Sequence, residues 1–145
     1  MMQHRQRAVL LFMPSINRLK KLYHQMKLWF PHLKIDYVYS QDTYREEKIQ
    51  KMRHGEYDVL LTTTILERGV TFDNIDVWVL EAQHRAFTRQ VLVQISGRVG
   101  RKKEYLEGQV FWLSEGWSHE MVEAEAMINK MNEERRRLLD EMPPM

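Results

Sequence analysis

Short apolar runs alternate along this chain with longer amphipathic segments. The runs lie at residues 8–13, 35–40, 58–61, 75–80 and 109–113 and are rich in Val, Ile, Leu and aromatic side chains. A run such as AVLLFM (8–13) has no polar alternation, which is typical of a strand covered on both faces. The pattern therefore predicts an α/β domain of three layers, in which helices flank a mainly parallel central sheet.

The segments between the runs predict helices. Ser15 is suited to cap the first helix, whose core-facing stripe is Ile16, Leu19, Tyr23, Met26 and Phe30. Thr43 and Glu46 match a capping box that opens a second helix ending near Gly55. A third helix is predicted at 87–96. The last begins near Ser118, with an apolar stripe of Met121, Ala124, Ile128 and Met131. No linker or repeat divides residues 1–145, so we expect one domain with a frayed tail at 141–145.

Composition narrows the classes of site. The chain has no cysteine, which excludes disulfides, zinc-thiolate sites and thiol nucleophiles. Its six histidines show no ligand spacing, so no metal site is expected. The four tryptophans, at positions 29, 78, 112 and 117, are predicted to lie in the core. With a net charge of only +2, any anion-binding site must be a local patch.

Two polar segments follow predicted core elements. Thr62, Thr63 and Thr64 continue directly from the third strand, and Gly69 follows one helical turn later. Hydroxyls and free N–H groups at the start of a helix are suited to binding a phosphate. Threonines that only cap the helix and bind no ligand would give the same sequence pattern.

The second segment is QISGRVGR (94–101), with a glycine before each arginine. Arginine forks bind phosphate oxygens, and glycines allow close approach of the ligand. The spacing brings Arg98 and Arg101 near one another if the segment is helical or turned. A nucleic-acid contact and a solvated basic loop remain as alternatives, because four of the six residues 98–103 are basic.

These segments resemble conserved motifs of superfamily 2 helicases. QxxGRxGR resembles motif VI, TTTILERGVTF resembles motif V upstream of it, and AVLLFM with Pro14-Ser15 resembles motif IV. The resemblance covers residues 7–131. The phrases LLTTTILERGVTF, EAQHRAFTRQVLVQISGRVGR and INKMN are similar to the ComFA family of DNA-uptake ATPases. The resemblance implies the second RecA-like lobe of an ATP-driven DNA translocase.

The resemblance also implies roles for single residues. Arg101 is the arginine finger and Arg98 a second phosphate or interlobe contact. Gln94, Gly97 and Gly100 contact the nucleotide or the first lobe, and Glu67, Arg68 and Gly69 couple the nucleotide cleft to DNA. Thr63, with Thr64 and Ser15, contacts the DNA backbone. Thr71 stands where many relatives have Asp, so a ribose contact from that position is in doubt.

Absent motifs complete the expectation. The chain has neither a G-x-x-x-x-G-K-[ST] loop nor an Asp-Glu pair at a strand end. ATP and Mg²⁺ would therefore bind mainly to a first lobe, and this chain would be an inactive fragment of a larger protein. The expected partners are single-stranded DNA, the first lobe and competence proteins at the membrane, with a cytoplasmic location at its inner face.

Two other classes compete with the motor. A complete small α/β enzyme would need a phosphate loop or a nucleophile with its base, and the sequence shows neither. A non-enzymatic nucleic-acid-binding or docking module with a motor-like fold stays open, since its phosphate-contacting arginines would look the same. Such a module would bind DNA in a salt-dependent way that neither nucleotide nor a first lobe alters.

Overall fold

The computed structural model describes residues 7–63, 72, 74–96, 101–102, 105–106 and 109–141. Its elements, in chain order, are β1 (Ala8–Phe12), α1 (Ile16–Trp29), β2 (Ile35–Val38), α2 (Arg45–Arg53), β3 (Val59–Thr62), β4 (Ile75–Val79), α3 (Arg89–Ser96), β5 (Arg101–Lys102), β6 (Tyr105–Leu106), β7 (Val110–Trp112) and α4 (His119–Glu141). Five strands form one parallel sheet in the order β2-β3-β1-β4-β7. The predicted α/β fold is confirmed, and each predicted strand lies within two residues of an observed one.

Side chains alternate between the two faces of the sheet. Leu10, Phe12 and Val77 enter one apolar cluster, which also contains buried residues of α2, α3 and α4. Leu11 and Leu61 enter the other, where α1 supplies Leu19. We call these the three-helix face and the α1 face. Helices on both faces make the three predicted layers.

Helix ends follow the predicted capping chemistry at three places. Ser15 has extended backbone angles, and its side chain accepts a hydrogen bond from the Arg18 N–H at 3.3 Å. The Ser118 side chain accepts a hydrogen bond from the Met121 N–H at 3.1 Å. Gly55 follows α2 with φ of 73°, a left-handed conformation that costs glycine little. The last helix thus begins where Ser118 predicted it.

The capping box at Thr43 is wrong. The residue before α2 is Tyr44, which makes no side-chain cap. Asp42 Oδ1 instead accepts a hydrogen bond from the Tyr44 N–H at 3.0 Å. An aspartate two residues upstream closes this turn on its own backbone, so the threonine hydroxyl is not needed there.

Several predicted core positions are exposed. Trp29 and Trp117 are each 62% exposed, while Trp78 and Trp112 are half-buried and pack against the two clusters. In the helix stripes, Ile16, Phe30 and Met131 are also exposed. Of these, Ile16, Trp29 and Phe30 lie at the two ends of α1, outside the part of that helix that enters the α1 face.

Two features at the chain's carboxyl half were not predicted. β5 and β6 form a short antiparallel pair, with Arg101 opposite Leu106. α4 continues to Glu141, so the helix includes the first residue of the expected tail, and residues 142–145 lie outside the described part. Among the described helices, none has the length and apolarity to cross a membrane.

Lys48 joins α2 to the edge strand β2. Its ammonium donates hydrogen bonds to Asp42 Oδ2 at 2.6 Å and to the Tyr37 carbonyl at 2.8 Å. Asp36 Oδ1 lies 3.8 Å away, and the Tyr37 ring centroid 4.8 Å away. Burial alone would lower the pKa of Lys48, but the hydrogen bond to Asp42 and the nearby carboxylates raise it. Because folding raises the pKa of Lys48, its charged contacts stabilise the fold fully at a pH below the pKa that Lys48 has in the unfolded chain. This stabilisation is lost as the pH rises through the pKa of Lys48 in the folded protein.

Replacing Lys48 with methionine should destabilise the fold. Lys48→Met keeps the length of the side chain but leaves the Asp42 carboxylate, which is 7% exposed, without its cation. The expected loss is about 1–3 kcal/mol of unfolding free energy, measured by urea denaturation at pH 7. Lys51→Met, on the same helix, removes only an exposed ion pair to Glu47 at 3.8 Å and should change stability by less than about 0.5 kcal/mol. Equal effects of the two substitutions would contradict this account of Lys48.

Candidate nucleotide and nucleic-acid interface

Two candidate hydroxyl residues lie at the carboxyl edge of the sheet. Phe12 and Thr62 are register partners, and the Met13 N–H donates to the Thr62 carbonyl at 2.8 Å. Ser15 and Thr63 therefore follow the ends of adjacent strands. In open α/β sheets this is the edge at which ligands bind.

The two residues differ in exposure. Thr63 is only 5% exposed, whereas Ser15 is half-buried. Ser15 begins α1, so the N–H groups of the first helical turn face the same edge. Of the two, Ser15 offers more surface to an anion.

An ion pair closes this edge beside Ser15. Arg18 Nη1, in the first turn of α1, contacts Glu81 Oε1 just after β4. The Leu80 N–H donates to the Phe12 carbonyl at 3.0 Å, which extends the pairing of β4 with β1 up to this point. Glu81 has φ of 53°, so the chain turns sharply here. The pair ties α1 to the end of β4.

The segment after Glu81 is a compact turn. The His84 N–H donates to the Glu81 carbonyl at 2.8 Å, and the Phe87 N–H donates to the His84 carbonyl at 2.9 Å. His84 Nδ1 accepts from the Ala86 N–H at 3.0 Å. The imidazole is thus engaged in its own turn.

The helix that leads into QISGRVGR is fixed by its neighbours. Leu92, Ile95 and Ser96 are buried, and Ser96 Oγ donates to the Leu92 carbonyl at 2.8 Å. Gln94 is exposed on the opposite side of α3. Packing therefore orients the helix so that Gln94 is available to a ligand or partner.

α4 holds the other end of α3. Glu120 Oε2 accepts from the Arg89 N–H at 2.5 Å, and Glu123 forms an ion pair with the Arg89 side chain. His119 Nε2 lies 2.6 Å from the same Glu123 carboxylate. The hydrogen bond from Arg89 holds the pKa of Glu123 below its usual range.

The structure thus places some of the candidate residues and not others. Ser15, Thr63 and Gln94 are described with their side chains, and Arg101 by its backbone in β5 alone. The remaining predicted residues, Thr64, Glu67, Arg68, Gly69, Gly97, Arg98 and Gly100, lie outside the described residues. Ser15 and Thr63 lie at the same carboxyl edge of the sheet. The convergence of Arg98 and Arg101 stays a prediction.

Sequence reasoning missed a cavity at the same edge. Its volume is about 350 Å³, and its lining includes Leu80, Gln83 and Leu113. Gln83 Oε1 is buried and has no hydrogen-bond partner within the part of the chain that the structure describes. No sequence signal marks this cavity, because its lining comes from two strand ends that are about 30 residues apart in the chain. Within the described ranges, no cluster of His, Asp and Glu is placed to hold a metal ion.

Known proteins similar to this chain are helicases and competence proteins. Residues 1–103 match the family described as helicase conserved C-terminal domain. Competence protein ComFA of Bacillus subtilis is 43% identical over 127 residues, covering 88% of this chain and 27% of that protein. Competence protein ComFA of Streptococcus pneumoniae is 40% identical, covering 87% of this chain and 29% of that protein. The chain thus spans little more than a quarter of these curated relatives.

A solved structure supports the fold. Dbp5 of S. cerevisiae, bound to RNA and ADP BeF3, superposes with a TM-score of 0.63 at 17% identity, covering 87% of this chain and 32% of that one. At this identity the likeness concerns the fold, which is the RecA-like fold of helicase C-terminal domains.

The Glu123 contacts predict acid sensitivity of the α3–α4 junction. Because folding lowers the pKa of Glu123, its ionised carboxylate stabilises the fold at a pH above the unfolded pKa of about 4.3. This stabilisation is lost as the pH falls through the pKa of Glu123 in the folded protein. The thermal midpoint of Glu123→Gln should therefore lie below that of the wild type at pH 7, and the difference should shrink towards pH 3. Glu125→Gln, an exposed residue on the same helix, is the control. A Glu123→Gln difference that stays constant from pH 7 to pH 3 would show that charge at Glu123 plays no part.

Proposed function

Because the chain belongs to the helicase conserved C-terminal domain family, we propose that it is the second RecA-like motor lobe of an ATP-dependent DNA helicase or translocase. In such a motor, ATP and Mg²⁺ bind mainly to a first lobe, and the second lobe completes the site across the interface. The sequence has no phosphate loop of its own. The isolated lobe is accordingly inactive, and turnover requires both lobes.

The observation that carries the proposal is the common edge of Ser15 and Thr63. The register of the strands sets the ends of β1 and β3 side by side. Ser15 and Thr63, which follow these ends, are the residues assigned to DNA contact through motifs IV and V. Thr64, the third such residue, follows Thr63 directly in the chain. Hydroxyls and backbone N–H groups are common donors to nucleic-acid phosphates and carry no sequence information. Binding at this edge would therefore suit a translocase that has to move along any sequence.

The nucleotide side of the proposal rests on motif VI. Packed α3 presents Gln94 and leads into Gly97, Arg98 and Gly100. Arg101 acts as the arginine finger that stabilises charge on the transferring phosphoryl group. Arg98 makes a second phosphate or interlobe contact. Glu67, Arg68 and Gly69 couple the nucleotide cleft to the DNA contacts.

DNA uptake in transformation is the proposed setting. The 43% identity to a competence protein over 127 residues supports it. The DNA would be single-stranded, and the partners would be the first lobe and competence proteins at the inner face of the cell membrane. This setting is a narrower claim than motor activity, and it can fail while the motor assignment stands.

Removing the arginine finger should abolish turnover without loss of nucleotide binding. In the intact two-lobed protein, Arg101→Ala should lower DNA-stimulated ATP hydrolysis by about 10³–10⁵-fold. ATP affinity, measured with a fluorescent analogue, should change little because the first lobe holds most of the nucleotide. Arg53→Ala is the matched control, since Arg53 is exposed at the end of α2 that leads to the amino edge of the sheet.

The same assay separates the proposal from its rivals. A folded isolated chain that hydrolyses ATP would contradict the half-motor assignment, as would an intact Arg101→Ala protein with normal turnover. If the isolated chain binds DNA with an affinity that neither nucleotide nor the first lobe changes, it is a non-enzymatic binding module. Salt-dependent binding alone would not separate the two, because both contact phosphates.

A further inference from the structure

Positive charge is concentrated at the start of the chain. The first 35 residues contain seven Lys or Arg residues and no Asp or Glu, although the net charge of the whole chain is only +2. Much of this charge lies on α1, whose outer surface is exposed. A local excess of this kind produces a positive field that attracts a polyanion.

Two lysines of α1 lie on the side of the helix that borders the edge strand β2. Lys20 and Lys27 are two helical turns apart, a spacing that brings both onto one face of the helix. The Lys20 ammonium lies 5.6 Å from the centroid of the Tyr39 ring, just beyond the carboxyl end of β2. Lys27, near the other end of α1, lines a cavity with Ile35, the first residue of β2. Both side chains are therefore directed towards β2.

Two further lysines continue this line at the amino edge of the sheet. The cavity at Lys27 has a volume of about 380 Å³. Its other lining residues are Lys34, Ile35, Lys51, Glu56 and Tyr57. Lys34 precedes β2, and Lys51 comes from the last turn of α2. We call Lys20, Lys27, Lys34 and Lys51 the lysine row. The row runs beside β2 from the carboxyl edge of the sheet to the amino edge.

Most of the lysine row has no acidic partner. Among the described residues, Lys20, Lys27 and Lys34 form no ion pair, and all three are exposed. Lys51 is the exception, with its ammonium 3.8 Å from Glu47 Oε1. The charge of three lysines is therefore available to a ligand.

Helix stability explains only part of the lysine row. Lys27 and Lys51 lie in the last turns of α1 and α2, where the helix dipole alone favours a cation. Lys20 lies in the first half of α1, where the dipole gives it no support, and Lys34 lies outside any helix. The alignment of all four lysines along β2 is therefore not a consequence of helix ends.

The shape of the lysine row favours a linear polyanion. Lys20 lies about 7.5 Å along the helix axis from Ser15, which caps α1 at the carboxyl edge, and Lys27 lies about 10.5 Å further on. Proteins bind single-stranded nucleic acid in basic grooves that follow its backbone and that contain aromatic rings. The half-buried Tyr39 ring beside Lys20 is such a ring. The row thus fits a single strand that arrives from the carboxyl edge.

We propose that the lysine row binds the backbone of single-stranded DNA and extends the DNA contact of Ser15 and Thr63 from the carboxyl edge along the side of α1. The inference rests on the proposed function, because it assigns the row to the same strand. The row contacts phosphates and not bases, so its binding is independent of sequence. It lies outside the three helicase motifs. The strand can therefore stay attached to the row while the contacts at the carboxyl edge are broken and remade.

Three combined substitutions, Lys20→Gln, Lys27→Gln and Lys34→Gln, test the lysine row in the intact two-lobed protein. All three side chains are exposed, so this row variant should keep the wild-type thermal midpoint. Binding of oligo(dT) strands of about 6 to 30 nucleotides is measured at several salt concentrations. The shortest strands should bind the row variant and the wild type alike. The longest should bind the row variant about tenfold or more weakly, and the slope of log K against log salt should be smaller by about 2, since each lost phosphate contact contributes about 0.7.

A control variant with the same change in charge carries Lys130→Gln, Arg135→Gln and Arg136→Gln on the exposed part of α4. It should bind strands of every length like the wild type. Equal affinity of the two variants for the longest strands overturns the proposal, as does an equal loss in the row variant at every length. A row variant that loses binding to vesicles of anionic lipid, but not to long strands, would identify a membrane as the partner instead. Failure of the proposed function is read separately, because the wild type would then show no DNA-stimulated ATP turnover whatever the row variant binds.

Discussion

β1 occupies the middle of the sheet, where its backbone must be paired on both sides and its side chains covered on both faces. It pairs with β3 on one side and β4 on the other, and its side chains alternate between the two apolar clusters. An unpaired buried N–H or C=O group costs about as much as a lost hydrogen bond, so the three strands are held in register. That register brings together the segments that follow them. Ser15, Thr63 and Glu81 thus share one edge although they are far apart in sequence.

Much of the fold could be predicted because its strongest signals are local. Short apolar runs predicted the strands, and Ser15 and Ser118 predicted two helix starts that their hydrogen bonds confirm. The capping box predicted at Thr43 is wrong because the neighbouring Asp42 side chain binds the backbone of the same turn. Both residue types can do so, and the sequence pattern does not show which of the two will. Trp29 failed because an amphipathic pattern does not show where the neighbouring layer ends.

The candidate site was predictable only where residue type carries the chemistry. The hydroxyl of Ser15 and the arginines of QISGRVGR are recognisable from sequence, since phosphate chemistry requires such groups. The ion pair between Arg18 and Glu81 is not, because it joins positions 63 residues apart. The cavity lined by Leu80 and Leu113, and the Gln83 oxygen that has no partner among the described residues, likewise depend on how β4 and β7 pair. Long-range placement of this kind comes from the fold as a whole.

The hydroxyl of Ser15 has a further consequence for how this edge can meet an anion. As a cap, its oxygen uses one lone pair to accept a hydrogen bond from the Arg18 N–H. Among the described residues its own hydrogen has no acceptor, so the hydroxyl can still donate. Capping and donation to a phosphate oxygen therefore need not compete, since they use different parts of the same group. Aspartate would cap α1 equally well, but it has no hydrogen to donate at neutral pH and would repel a phosphate. Helix capping alone would therefore allow either serine or aspartate at this position, whereas binding of an anionic ligand would favour serine over aspartate.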